Sequence, residues 1–250
     1  MIRGALGDAV RRGLVSRNVA LIALAPRLHS IAKVEQHAWT AQELQQFLRA
    51  AAGHRHFPAL WVAAFTGMRR NELLGLHWED YDAEAATLSV NRGLVAVDYE
   101  LRETRGKTAN ARRRIDLDRT TVDVMTAWRG WQAAEQRAAR IDSRGWMFTD
   151  ADGQPIHPHA ISQSFERIAR RAGVRVIRLH DLRHTHGTLL IAAGVPVKVV
   201  SERLGHATPA FTIDTYQHVL PGMQADAART FEHLIVGDLL PAKRKPEKTR

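Results

Sequence analysis

Fixed cations, imidazoles and one phenol fall in five short stretches of this 250-residue sequence. TGMRRNELLGL carries Arg69 and its neighbour Arg70 just past Gly67, at the start of a predicted short helix whose free N–H groups favour an anion. Position alone does not choose between the two arginines. HDLRH spaces His180, Arg183 and His184 three and four apart, so they share one helix face. LGH sets His206 at a corner, because Gly205 stops the preceding helix. Tyr216 lies on a further short helix near the turn Pro221-Gly222, and Lys107 sits in the predicted turn RGKTAN.

Together these groups suit attack on a phosphodiester. Arginine's planar fork meets phosphate oxygens in pairs. An in-line nucleophile and a proton donor for the leaving oxygen complete the requirement. A phenol is a weak nucleophile at neutral pH unless a base or cationic surroundings activate it, and the arginines and histidines offer both. Each stretch also has an ordinary reading: a surface arginine, a solvated basic helix, a dipole-pairing histidine, a core tyrosine, a solvated hairpin lysine. His180, His184 and His186 superficially suggest zinc spacing, but Arg183 places a fixed cation among them and the glutamate of HExxH is missing.

The bulk numbers narrow the class. A formal charge of +10 favours a polyanionic partner, since binding phosphates releases counterions. Part of that charge belongs to the tail AKRKPEKTR, which could equally be a solvated end. With no cysteine, disulfides and thiolate sites are excluded. No apolar run reaches the length of a membrane span, and arginines interrupt the N-terminal apolar residues, so a cytoplasmic protein is expected.

The elements that must hold these residues are legible from spacing. Residues 1–33 read as helical with a polar break at Ser16-Arg17-Asn18, too short to bury a core of their own, and are followed by a linker. Thr40 and Glu43 form a capping box before AQELQQFLRAA, and PALWVAAFTG is an apolar core helix ended by Gly67. ATLSV, GLVAV and RRRIDL have the period of strands, with turns expected at Asn91–Gly93 and 105–110. Helices are expected again over 120–140, 157–173 and 180–194, then from Pro196 to Gly205, from Thr208 through Tyr216, and over Met223–Leu239. The fold class is therefore α+β: a mostly helical domain with a small antiparallel β-sheet insert.

In order, Arg69, Lys107, His180, Arg183, His206 and Tyr216 resemble the active-site series of the tyrosine recombinases, the phage integrase family. The surrounding text TGMRRNELLGL, HDLRHTHGTLLIAAGV, LGH and TYQHVLPGM is similar as well, across roughly residues 36 to 237. The resemblance implies a site-specific DNA recombinase, an integrase of a phage or other mobile element, that cuts and rejoins DNA through a 3′-phosphotyrosine. It assigns Arg69 and Arg183 to the non-bridging phosphate oxygens, Lys107 to the 5′ leaving oxygen, His180 to the tyrosine proton, and His206 to a hydrogen bond on the phosphate. Glu72 and His184 support them. No metal or cofactor is implied. The implied partner is double-stranded DNA, bound as a tetramer on paired sites by a protein that is monomeric when free, with no membrane and no small-molecule substrate.

The same resemblance makes 1–35 a remnant of an N-terminal helical core-binding domain plus linker, 36–237 the catalytic domain and 238–250 a basic tail, so a fragment or natural truncation is expected. Arginines at 112–114 stand close enough in sequence to substitute partly for Lys107. The final helix is expected to dock through Phe231, Leu234 and Ile235, on a neighbouring protomer or on its own domain. Two other readings stay open: a type IB topoisomerase-like DNA-relaxing enzyme, and a catalytically inactive DNA-binding accessory protein. A metal-dependent nuclease is a weaker alternative.

Overall fold

The computed structural model describes residues 2–22, 37–98, 100–105, 112–206, 208–216 and 231, with backbone alone at 105, 211 and 214–216. Lys107, the tail 238–250 and nearly all of the helix expected over Met223–Leu239 lie outside the described residues. The chain divides into two compact units, Met1–Gln36 and His37–Arg250. In the first, α1 (Ile2–Arg11) buries no residue, and a 3-10 turn follows at Val19–Leu21. Arg3 Nε donates to Ala20 O at 2.9 Å, which ties that turn to the helix.

The second unit begins with α2 (Ala41–Ala51), whose start is the expected reciprocal cap. Glu43 N donates to Thr40 Oγ1 at 3.2 Å, and Thr40 N donates to Glu43 Oε2 at 2.8 Å. Next comes α3 (Phe57–Thr66), whose apolar sequence leaves Ala59, Leu60 and Val62 fully buried. After it comes α4 (Arg70–Leu74). The second half is helical, as read: α5 (Arg119–Ala139), α6 (Pro158–Ala172), α7 (Asp181–Ala192), α8 (Val197–Leu204) and α9 (Pro209–Tyr216). One aromatic cluster joins α2 to α6, with Trp39, Phe47 and Phe165 packed ring on ring.

The β insert forms two antiparallel sheets among the described residues. Strands β1 (Tyr81–Asp82), β2 (Thr87–Val90) and β5 (Arg113–Asp116) pair in the order β1-β2-β5, with Leu88 opposite Ile115 and Val90 opposite Arg113. Strands β3 (Arg92–Val97) and β4 (Glu100–Arg105) form a separate hairpin. The turn expected at Asn91–Gly93 is therefore misplaced, because Arg92 and Gly93 are already paired in β3. The hairpin instead reverses after Val97, where Asp98 takes φ 50°, a conformation that aspartate tolerates in turns. β4, with the sequence ELRETR, lacks the apolar alternation that marks a half-buried strand.

Candidate active site

The fold brings the ends of α3, α7 and α8 to the start of α4. Gly67 closes α3 in the left-handed region (φ 63°), and a Cβ there would stand 2.6 Å from Leu204 and 2.8 Å from His186. Its free carbonyl accepts a hydrogen bond at 2.9 Å from Nη1 of Arg183, a buried arginine on α7. Two residues later Arg69 caps α4. Glu72, one turn into that helix, reaches back and accepts from the Arg69 backbone N–H at 3.0 Å and from its Nη1 at 2.8 Å. Arg69 Nη2 donates to the Gly205 carbonyl at 3.0 Å, just before His206. Arg70 turns away to α6, donating to Ser162 Oγ at 2.9 Å, so the two neighbouring arginines have different surroundings.

His180 and His184 lie one turn apart at the start of α7, with ring centroids 5.4 Å apart in a T-shaped arrangement. The α7 start is fixed by Asp181, which accepts from Arg178 Nε at 3.0 Å, Nη2 at 2.8 Å and the backbone N at 3.0 Å. At the opposite side, His206 Nδ1 shares a 2.7 Å hydrogen bond with the buried Thr212 Oγ1 of α9. α9 packs on α7 and α8 and ends at Tyr216.

The closeness of these groups shifts their protonation. Burial pushes the His206 pKa down to about 4, helped by the charges of Arg183, Arg69, His184 and Arg113. His180 is also lowered, first by burial and then by Arg183, against an opposing pull from Asp181. His184 falls to about 4 through burial and His180. The Glu72 carboxyl goes the other way. Burial raises it, yet hydrogen bonds and charge from Arg113 and Arg69 outweigh that and hold it below the usual carboxylate range. Near neutral pH the site therefore presents neutral imidazoles, one ionised carboxylate and several permanent cations.

Among the described residues no three metal-binding side chains come together. The zinc spacing seen in the sequence fails on His186 itself. Its Nδ1–H donates to Ala64 O at 2.9 Å, and its Nε2 accepts from Arg203 Nε at 3.2 Å, so both nitrogens are committed. Arg203 further donates to Asp116 O at 3.0 Å and Phe65 O at 2.9 Å, joining α8 to β5 and α3.

Two sets of contacts escaped the sequence reading. Arg113 binds Glu72 and the Arg203 carbonyl, and its side chain is nearly buried. A signal for it existed: Arg113 and Ile115 alternate onto one strand face, and Ile115 is core. The Arg178–Asp181 pair had a signal as well, an arginine three residues before an acid at a predicted helix start.

A mainly helical domain with a small antiparallel insert, gathering Arg69, Arg183, His180 and His206 beside a tyrosine-bearing helix, defines the catalytic-domain fold of the tyrosine recombinases. The chain belongs to the phage integrase family, whose model matches residues 38–222. It is 32% identical over 219 residues to the tyrosine recombinase XerC-like protein of Caldanaerobacter subterraneus subsp. tengcongensis, covering 82% of this chain and 56% of that protein. It is 28% identical over 201 residues to the ICEBs1 integrase of Bacillus subtilis, covering 79% and 54%. The chain thus spans about half the length of these curated relatives. Its fold is similar to that of the Tn1549 transposon integrase, solved in complex with a circular intermediate DNA, with a TM-score of 0.71 and 18% identity over 91% of this chain and 76% of that one. No described helix is long and apolar enough to cross a membrane.

Proposed function

We propose that this chain carries the catalytic domain of a site-specific DNA recombinase, the integrase of a phage or other mobile element. The Tyr216 phenol oxygen attacks the scissile phosphorus, and the bond to the 5′ oxygen breaks. His180 takes the phenol proton, and Lys107 supplies one to the departing 5′ oxygen. Arg69 and Arg183 hold the non-bridging oxygens, where transition-state charge develops, and His206 adds a hydrogen bond. The DNA 3′ end remains joined to Tyr216, and a 5′ hydroxyl of a partner strand reverses the sequence. Bond energy is conserved in the phosphotyrosine, so the exchange calls for no nucleotide cofactor. Glu72 and His184 act as supports for the basic groups.

One observation carries this reading: Arg69 and Arg183 are tied to backbone carbonyls at the ends of α8 and α3, and their charges act on both His180 and His206. A phosphodiester offsets the mutual repulsion of such cations. The double-stranded DNA partner is supported by the net charge of +10 and by the DNA complex of the Tn1549 integrase. Residues 1–35 fit the end of a core-binding domain plus linker, 36–237 the catalytic domain and 238–250 a basic tail, with tetramers forming on paired sites. A cytoplasmic location follows from that work.

The test is covalent capture. Incubation with a nicked suicide recombination site should give a protein–DNA adduct on a denaturing gel, and Tyr216→Phe should abolish it. An adduct that survives in the Phe variant removes Tyr216 as nucleophile. Relaxation of plasmids lacking any specific site would move the protein to the topoisomerase-like reading.

A further inference from the structure

We propose that Arg113 is a positioning residue that sets both Arg69 and His206, acting through Glu72 and through the end of α8. Its side chain is only 8% exposed, on the strand next to the candidate active site. Nη2 donates to Glu72 Oε2 at 2.9 Å, while Glu72 Oε1 holds Arg69 Nη1. Nε donates at 2.9 Å to the carbonyl of Arg203, three residues before His206. Arg69 then closes the circuit on the Gly205 carbonyl. One planar fork thus fixes a carboxylate and a helix end at a set angle, which a lysine ammonium cannot reproduce.

Two further observations place the demand on geometry. Buried ion pairs are seldom net stabilising, because desolvation consumes much of the attraction. Here the cost is compounded, since Nη1 of Arg113 is buried without an acceptor among the described residues. Gly205 meanwhile lies directly against this guanidinium. A Cβ at 205 would stand 2.9 Å from Nη1 and 3.0 Å from Cδ and Cζ of Arg113, and φ there is 68°. The glycine before His206 is thereby required twice, for its backbone and for its missing side chain.

The proposal rests on the recombinase reading, so its test uses two readouts, one independent of the reaction. The full chain is compared with Arg113→Gln, Arg113→Lys, Glu72→Gln, the Arg113→Gln/Glu72→Gln double variant, and Arg170→Gln as an exposed control on α6. At saturating suicide DNA, Arg113→Gln should slow adduct formation about a hundredfold while changing the DNA Kd less than about threefold, the pattern of a group felt mainly in the transition state. Arg113→Lys should recover roughly a tenth of the lost rate, because it keeps the charge but holds one partner at a time. The double variant should be within about twofold of the slower single variant, as expected when two residues act in one chain of contacts. In DNA-free protein, the ring resonances of His206 should shift in Arg113→Gln and Glu72→Gln and stay in place in Arg170→Gln. Unmoved His206 resonances in Arg113→Gln, a rate within about twofold of the parent, or additive losses in the double variant would each overturn the proposal. Should the parent form no adduct at all, the recombinase reading fails, and the His206 resonances still decide whether Arg113 positions that ring.

Discussion

Where α2 meets α6, Trp39, Phe47 and Phe165 pack with ring centroids 4.9, 5.0 and 5.3 Å apart and leave almost no surface exposed. Where α4, β5 and α8 meet, Glu72 and Arg113 are nearly as deep, yet they are joined to each other and to the end of α8 by directed hydrogen bonds, one between charges and one to a carbonyl. Apolar burial is non-directional and tolerates small shifts, so the first region supplies stability without specifying angles. The second loses much of its attraction to desolvation and in return specifies direction. The difference teaches that this domain separates holding together from aiming, and assigns them to different chemistry.

Substitutions that strike one region alone test that separation. Phe165→Ala should cost about 3–5 kcal/mol in urea unfolding, through lost transfer energy and the cavity left behind. Its folded fraction should still cleave within about twofold of the parent rate in single-turnover assays. A larger rate defect would show that the aromatic cluster also aims the site. Glu72→Gln should do the reverse, slowing adduct formation roughly a hundredfold, about 2.7 kcal/mol in barrier. Its unfolding free energy should fall by only about 1–2 kcal/mol, since the amide keeps some of the hydrogen bonds.

The smallest effect is a pH dependence traced to one histidine on the polar side. His186 is depressed from 6.5 to about 4, chiefly by burial and then by Arg203. Between those values the unfolded chain binds the proton and the folded one does not, so stability is complete above pH 6.5 and declines as pH falls toward 4. For one such histidine the loss at pH 6 is roughly 0.8 kcal/mol. Thermal midpoints measured from pH 7 to 5 should decline, and His186→Gln should flatten that slope. The rings of Trp39, Phe47 and Phe165 contribute nothing to it, having no titrating group.

Most helices were readable because their punctuation is local. Thr40 with Glu43, and the glycines at 67, 173 and 205, act within one turn of chain. The hairpin was less legible. β4 carries charges at 100, 102, 103 and 105, and its pairing comes from β3 across a turn at Asp98 that no Gly or Pro announces. For the candidate site, residue types and order were visible, and the family resemblance chose Arg69, although position alone did not separate it from Arg70. Their different surroundings depend on Glu72, Gly205 and Ser162, two of which lie more than ninety residues away. Arg113 stayed hidden for the same reason, because its meaning lies in a carbonyl and a carboxylate that only the tertiary fold delivers.

The bond from His206 to Thr212 has a consequence for timing. The imidazole follows the end of α8, while the hydroxyl sits on α9, the helix that also carries Tyr216. Under the proposed mechanism, displacing α9 would break this bond as well, so withdrawal of Tyr216 and loss of the ring's orientation would be a single event.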